Sequence, residues 1–178
     1  MEKVLLQHLE YLTGIRPFRN WRNLDSLKVA SEYIENEFKK YGLTIQHQKW
    51  NYGKFEYTNV IASYQPELKK RLIVGAHYDV FDDQPGADDN TSGVAGLLFL
   101  AQSIAENQPN LPYGIDFIAY CLEEPPHFST KNMGSYVHAE SLCKDNTEIV
   151  GMICLDMIGY FSDEPNSQHY PVESLSER

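Results

Sequence analysis

The fold is decided by residues 71–79, RLIVGAHYD, where a buried strand changes into a polar loop. The run RLIVGA at 71–76 is short and mostly apolar, which is typical of a strand covered on both faces of a sheet. A polar loop extends from His77 to Asn90. A helix begins near residues 91–93, because apolar residues then recur at helical steps, at Val94, Leu98, Ala101 and Ala105. A buried strand followed by such a helix predicts a β-α-β unit.

Two more strands follow along the chain. Residues 115–121 (IDFIAYC) and 149–155 (IVGMICL) are largely apolar, and a short helix is expected between them at about 135–142. The β-α-β-α-β order predicts parallel strands joined by right-handed crossovers. Residues 161–178 are polar and are predicted to form a loop or tail. The last strand therefore lacks a covering element, and we expect the sheet to be incomplete.

The N-terminal part predicts two helices and an antiparallel strand pair. Residues 2–12 are the first helix candidate. The second helix stops at Gly42, a residue that favours helix C-termini, and its apolar face is formed by Leu27, Ala30, Ile34, Phe38 and Tyr41. Extended segments at 43–50 and 57–64 are close enough in sequence to pair antiparallel. Together these patterns predict a three-layer α/β/α fold with a mixed, centrally parallel sheet.

Length and composition narrow the class of protein. At about 150 residues per domain, a chain of 178 residues predicts one domain, which we assign to residues 1–160. Hydrophobic residues make up 42% and charged residues 22%, which excludes general disorder. A net charge of −10 disfavours binding to nucleic acid or to an anionic membrane. The sequence has no apolar run of about 18 residues, the length that a membrane span needs.

The cysteines and the N-terminal residues predict a cytoplasmic protein. Cys121, Cys143 and Cys154 form no CxxC pair, and their odd number argues against a disulfide framework. Free thiols are typical of a reducing compartment. The first residues contain no long apolar segment of the kind that secretory signals have.

One histidine and several carboxylates follow the ends of the predicted parallel strands. These ends meet at one edge of the sheet, where ligands bind in folds of this class, so the side chains are expected to converge. Imidazole together with carboxylates suits zinc or a related divalent ion, whereas magnesium and calcium sites are normally all-oxygen. The clusters are His77 with Asp79 after the first strand, Glu123 with Glu124 after the second, Asp156 after the third, and Asp88 with Asp89 before the helix.

Two-metal chemistry gives different tasks to these residues. A carboxylate bridges the metals, and of Glu123 and Glu124 one can bind metal while the other accepts a proton from bound water. Asp79 is two residues after His77, where it can orient the imidazole. Taken singly, each residue has a simpler explanation; Asp89, for example, can be a helix cap. Their joint position at three strand ends favours a metal site.

At these positions the sequence resembles the M28 family of zinc metallopeptidases, the co-catalytic aminopeptidases. The resemblance reaches from near the start to about Tyr160 and implies the zinc-aminopeptidase fold. It is carried by the site motifs GAHYD (75–79), GADDNTSG (86–93), the pair Glu123-Glu124 and LDM (155–157), and by the preceding segments YGL (41–43) and YTNVIA (57–62).

The resemblance implies a role for each matching residue. His77 and Asp156 would hold one zinc, Asp89 would bridge both zinc ions, and Glu124 would hold the other. Glu123 would be the general base. The implied reaction is hydrolysis of the N-terminal bond of a peptide with a free amino terminus, by a metal-activated water. The family also implies that Asp79 orients His77 and that a cis peptide bond follows Asp79.

Two departures from the family pattern are visible. Residues 125–133 separate the Glu pair from Gly134-Ser135, and Pro125 restricts the backbone before it, so a rigid loop is expected. The family's fifth ligand is a histidine far downstream of Asp156, and this sequence ends before it. We therefore expect a chain without the family's C-terminal part, with one incomplete zinc site. His169 and His127 are weak candidates for the missing ligand.

Two other functions stay open at this point. A glutaminyl-cyclase-like acyltransferase shares the scaffold, although the combination of His77 with Asp88-Asp89-Asn90 favours the peptidase. A non-catalytic remnant that binds metal is the alternative from a different class, and the missing histidine supports it.

Overall fold

The computed structural model describes residues 2–165 and residue 167. His169 and most of the predicted tail lie outside the described residues. Every predicted helix and strand is present, within a few residues of its expected bounds. The elements are α1 (Glu2–Gly14), α2 (Leu24–Lys40), β1 (Thr44–Tyr52), β2 (Phe55–Tyr64), β3 (Lys70–His77), a π-helical turn (Ala87–Ser92), α3 (Gly93–Asn107), β4 (Gly114–Tyr120), α4 (Gly134–Lys144) and β5 (Glu148–Cys154).

The five strands form one mixed sheet in the order β1-β2-β4-β3-β5. The hairpin β1–β2 is antiparallel, and β2 is antiparallel to β4. Both β4 and β5 are parallel to β3, one on each side of it. The predicted mixed sheet with a parallel centre is therefore confirmed. From β3 the chain continues to β4 on one side and then to β5 on the other side of β3, so the strand order changes direction there. Ligands bind at such switch points in open α/β sheets.

Helices cover both faces of the sheet. On the first face, α1, α2 and α3 bury the main core, which includes Phe38, Leu97 and Phe117. On the second face, Leu142 of α4 packs against a smaller cluster formed by Ile61, Ile73, Ile118 and Tyr120. Alternate residues of the strands face the two clusters, as the period of two requires. Each fully buried large side chain contributes about 1.5–3 kcal/mol of transfer free energy.

The strand β5 is at the open edge of the sheet. Its apolar side chains are exposed on both faces: Ile149 is 40% exposed, Val150 50%, Met152 52% and Ile153 48%. The neighbouring strand β3 is largely buried. The expected incomplete sheet is thus present within the described part of the chain.

None of the helices in residues 2–165 combines the length and the apolar character that crossing a bilayer requires.

Candidate metal centre

The parallel register brings the predicted site residues to one edge of the sheet. His77 ends β3 and pairs with Tyr120, the last residue of β4, so Glu123 and Glu124 follow directly beside it. Gly75 pairs with Cys154 of β5, which places Asp156 on the other side of His77. Asp89 enters from the turn before α3.

Two groups of side chains are close enough to share a metal ion. His77, Asp89 and Asp156 form one group, and His77, Glu123 and Glu124 form the other. Within each group, one ligand atom per residue lies within 4.8 Å of the others. His77 Nε2 is 3.1 Å from Asp89 Oδ1 and 3.8 Å from both Glu123 Oε2 and Asp156 Oδ1.

Two buried atoms that could bind a metal ion form no hydrogen bond within the described residues. They are His77 Nε2 and Glu124 Oε1. The short contact from His77 Nε2 to Asp89 Oδ1 lacks hydrogen-bond geometry. Buried polar atoms are normally paired, so these two are explained best by a ligand between them. Imidazole nitrogen and carboxylate oxygen are the donors that zinc takes in proteins, and the donor set therefore fits zinc.

The pKa values show how strongly this edge attracts a cation. Burial lowers the pKa of His77, but the carboxylates of Asp156, Asp79 and Asp89 outweigh it and raise that pKa to about 12. In the other direction, the close contact with the His77 imidazole lowers the pKa of Asp89. Several carboxylates thus surround one imidazole, and a positive charge at its Nε2 is favoured.

The two adjacent glutamates have less favourable surroundings for their charge. Burial, together with the charge of Asp89, raises the pKa of Glu124 to about 7. Burial also raises the pKa of Glu123, and the charges of Asp79 and Asp156 act in the same direction. Both carboxylates are therefore better proton acceptors than an exposed glutamate.

Asp79 is fully buried and connects the glutamate pair to His77. Its Oδ1 accepts a hydrogen bond from the Glu123 N–H and its Oδ2 accepts one from the Glu124 N–H, both at 3.1 Å. His77 Nδ1 is 3.2 Å from the Asp79 carbonyl oxygen and 3.6 Å from its carboxylate. The backbone of Asp79 thus contacts the imidazole, while its carboxylate positions the two glutamates. The cis peptide bond expected after Asp79 is found after Asp89 instead.

His127 is not in either group. The residue is 1% exposed, and its ring packs edge-on against Trp21 and Tyr52. Its backbone N–H donates a hydrogen bond to the Glu124 carbonyl. The aromatic contacts anchor the proline-containing loop, in which Pro125–Pro126 is cis, to the β1–β2 hairpin. His77 is therefore the one histidine of the two groups within the described residues.

A small cavity adjoins Asp89 and Glu124. It has a volume of about 270 Å³ and is lined further by Phe81, Gln84, Pro85, Gly86, Ala87 and Asp88. Three larger cavities lie away from the two groups: one of about 490 Å³ between α2 and the β1–β2 hairpin, one of about 700 Å³ beneath α4, and one of about 500 Å³ at the start of α4. None of these three cavities is lined by a residue of the two groups, so the small cavity is the one that adjoins the candidate ligands.

A match to a family model decides the classification. The model of Peptidase family M28 matches residues 59–176, a stretch that contains both donor groups. The chain belongs to peptidase family M28. The resemblance seen in the motifs is confirmed by this match.

The M28 chain is similar in sequence to aminopeptidases and in structure to a glutaminyl cyclase. The uncharacterized protein YfbL of Escherichia coli K12 is 40% identical over 94% of this chain and 53% of its own length. Leucine aminopeptidase 1 of Ajellomyces capsulatus (strain NAm1 / WU24) is 29% identical over 78% of this chain and 37% of its own. The chain thus spans about half or less of these relatives. A solved glutaminyl cyclase of Porphyromonas gingivalis shares the fold, with a TM-score of 0.75 and 23% identity over 89% of this chain and 60% of that one.

Proposed function

We propose that this M28 chain carries the metal centre of a zinc-dependent aminopeptidase, which hydrolyses the N-terminal peptide bond of peptides with a free amino terminus. The observation that carries the proposal is the convergence of His77 with Asp89 and Asp156 in one group and with the glutamate pair in the other. A strong cluster of carboxylates also suits the positively charged amine of such a substrate.

His77, Asp89 and Asp156 would hold one zinc ion, which is the ligand number of a catalytic zinc with an open position. Asp89 and Glu124 would hold a second. Zinc bound at these residues supplies Lewis acidity toward a peptide carbonyl and toward water. Glu124 suits the ligand role, because its buried Oε1 forms no hydrogen bond within the described residues.

Glu123 is the general base in this proposal. Its side chain is partly exposed, and its pKa is raised by burial, so it can take a proton from the attacking water. The same carboxyl group then donates that proton to the leaving amine. Asp79 keeps the Glu123 carboxylate at the site by holding the Glu123 N–H.

A glutaminyl cyclase is the second candidate. The structural likeness to the cyclase of Porphyromonas gingivalis favours it, and so does the presence of one group with three ligands and an open position, which suits a single metal. Both enzymes need a free amino terminus, so the discrimination depends on which product forms from a glutaminyl peptide.

Zinc titration of the chain by calorimetry tests the metal centre. We expect one tight site, because in this proposal the second zinc has only Asp89 and Glu124 as ligands among the described residues. Asp156→Asn should abolish the tight site, whereas Asp145→Asn, at the exposed end of α4, should leave it unchanged. Two equally tight sites would contradict the ligand assignment. A wild-type chain that binds no zinc would overturn the proposed function.

Substrate assays on the zinc-loaded protein test the reaction. We expect release of 4-nitroaniline from leucyl-4-nitroanilide and none from its N-acetylated form. Conversion of a glutaminyl peptide to its cyclic product, without hydrolysis of the anilide, would select the cyclase. A zinc-loaded protein that converts neither substrate would support the non-catalytic alternative.

We also propose a cytoplasmic location, because all three cysteines are free.

A further inference from the structure

Arg19 is a buried cation in the segment between α1 and α2. It is 1% exposed, although arginine is rarely buried without a partner for its charge. Burial lowers the pKa of Arg19 to about 10, and the charge of Asp79 acts in the opposite direction. The guanidinium therefore stays protonated at neutral pH. Nothing in the sequence patterns indicates a role for it.

The guanidinium donates hydrogen bonds to four backbone carbonyls and one hydroxyl. All three nitrogens take part, so the planar group is held on every side. The bonds run from Nε to Tyr78 O at 2.7 Å, from Nη1 to Leu12 O at 2.8 Å and Pro85 O at 3.0 Å, and from Nη2 to Gly86 O at 3.3 Å and to Thr91 Oγ1.

Four of the five acceptors belong to two segments of the connection between β3 and α3, namely the loop after β3 and the turn before α3, whereas Leu12 belongs to α1. Tyr78 lies between His77 and Asp79 in sequence, and Gly86 and Thr91 lie on either side of Asp89. One rigid side chain thus connects the loop after β3 with the turn before α3. His77 directly precedes the first segment and Asp89 lies in the second, and His77 Nε2 is 3.1 Å from Asp89 Oδ1.

We propose that Arg19 is a positioning residue of the metal centre, which sets the spacing between His77 and Asp89 and thereby the affinity for zinc. This inference depends on the proposed zinc site. A lysine would not replace it. The guanidinium is a planar fork with donors on three nitrogens, whereas a lysine has a single ammonium group on a flexible stem and cannot hold acceptors in both segments at once. Without the guanidinium, four carbonyls would compete for fewer donors, and the loops would move to reach other partners.

The variant Arg19→Lys tests the proposal, with the affinity for Zn²⁺ measured by calorimetry and the coordination read from the visible absorption of bound Co²⁺. Residues that orient metal ligands from outside typically change affinity by about 10–100-fold when they are replaced. We expect a loss of that size at the tight site, together with an altered Co²⁺ spectrum.

Arg71→Lys is the matched control. Arg71 is another buried arginine, and it binds Asp116 and the carbonyls of Gln65 and Ile115. It lies at the start of β3, at the opposite end of the strand from His77. Arg71→Lys should lower the melting temperature but leave zinc affinity and the Co²⁺ spectrum unchanged. If both variants lose zinc affinity equally, the loss results from general destabilisation of the fold, and the proposal is overturned.

A second pair of variants applies if Arg19→Lys does not fold. Thr91→Val removes the hydroxyl that Arg19 binds, and Thr91→Ser retains it. Weaker zinc binding by Thr91→Val, with rescue by Thr91→Ser, is the expected result. Wild-type affinity in a folded Arg19→Lys protein, or in Thr91→Val when Arg19→Lys is unfolded, would overturn the positioning role. Failure of the wild-type chain to bind Zn²⁺ would instead reject the proposed function.

Discussion

The side chain of Asn90 holds the backbone on both sides of Asp156. Its Nδ2 donates to the Leu155 carbonyl at 2.8 Å, and its Oδ1 accepts from the Met157 N–H at 3.3 Å. Asn90 is fully buried and directly follows Asp89. The turn that carries one candidate ligand therefore fixes the backbone of another that is 67 residues away.

This contact predicts a specific effect of Asn90→Asp. An aspartate has nearly the same shape but cannot donate to the Leu155 carbonyl, which would be left without this partner. We expect the free energy of unfolding to fall by about 1–3 kcal/mol, and zinc affinity to fall by about 10–100-fold because Asp156 loses its support. Urea denaturation and zinc calorimetry measure the two effects. Asn107→Asp, at the exposed end of α3, is the control; unchanged zinc affinity in folded Asn90→Asp would show that Asp156 needs no such support.

The two adjacent glutamates should respond differently to replacement by glutamine. Glu123→Gln should keep its zinc and lose turnover by about 10²–10⁴-fold, because only the proton acceptor is removed. Glu124→Gln should first weaken metal binding. Metal analysis and a leucyl-anilide assay separate the effects, with Glu140→Gln on the exposed surface of α4 as control. Equal metal loss in both variants would refute this division of roles.

The exposed edge strand β5 should cause self-association of the isolated chain. Its apolar side chains lie exposed on both faces of the sheet, and exposed patches of this kind associate. Met152→Glu should reduce association in sedimentation experiments and lower the binding of a hydrophobic dye. Val29→Glu places the same charge at an exposed position on α2, remote from β5, and should change neither. If both variants behave alike, net charge rather than the β5 surface governs association.

His138 should make folding less favourable in acid. It is buried against Tyr120, whose hydroxyl lies 3.1 Å from Nδ1. Burial lowers the pKa of His138, an effect that the charge of Asp116 opposes. The unfolded chain therefore binds a proton first as the pH falls below about 6.5, and stability present above that pH is lost as the pH falls through the lower folded-state pKa.

Denaturation of the metal-free protein between pH 8 and pH 5 checks this expectation. The carboxylates and the other histidines titrate in both proteins, so the difference between wild type and His138→Gln isolates this residue. We expect wild type to lose more stability than the variant on acidification. Parallel pH profiles would show that His138 does not contribute.

Much of this molecule was predictable from local patterns. The run at 71–76 and the helical steps after Val94 predict their elements because the period of apolar residues depends only on which faces are buried. The candidate ligands after each parallel strand were predictable for a related reason: the strands' carboxyl ends share one edge. His77, Asp89 and Asp156 lie together as that argument requires.

Other features depend on contacts between residues far apart in the chain. The aromatic contacts of His127 with Trp21 and Tyr52, and its absence from both donor groups, have no signal in the order of residues. The carboxylate of Asp79 lies 3.6 Å from His77 Nδ1, near the position that the sequence predicts for it. It also accepts hydrogen bonds from the backbone N–H groups of the two glutamates, which come within its reach only when β3 and β4 pair.

Local patterns of apolar residues predict the strands and the helices, and short motifs indicate the family and the candidate metal ligands. The strand order β1-β2-β4-β3-β5 and the hydrogen-bond partners of Arg19 and Asn90 depend instead on how distant parts of the chain pack together. Arg19 bonds to carbonyls up to 67 residues away, and Asn90 to one 65 residues away. A backbone carbonyl is the same in every residue type, so its partner is chosen by how the chain packs.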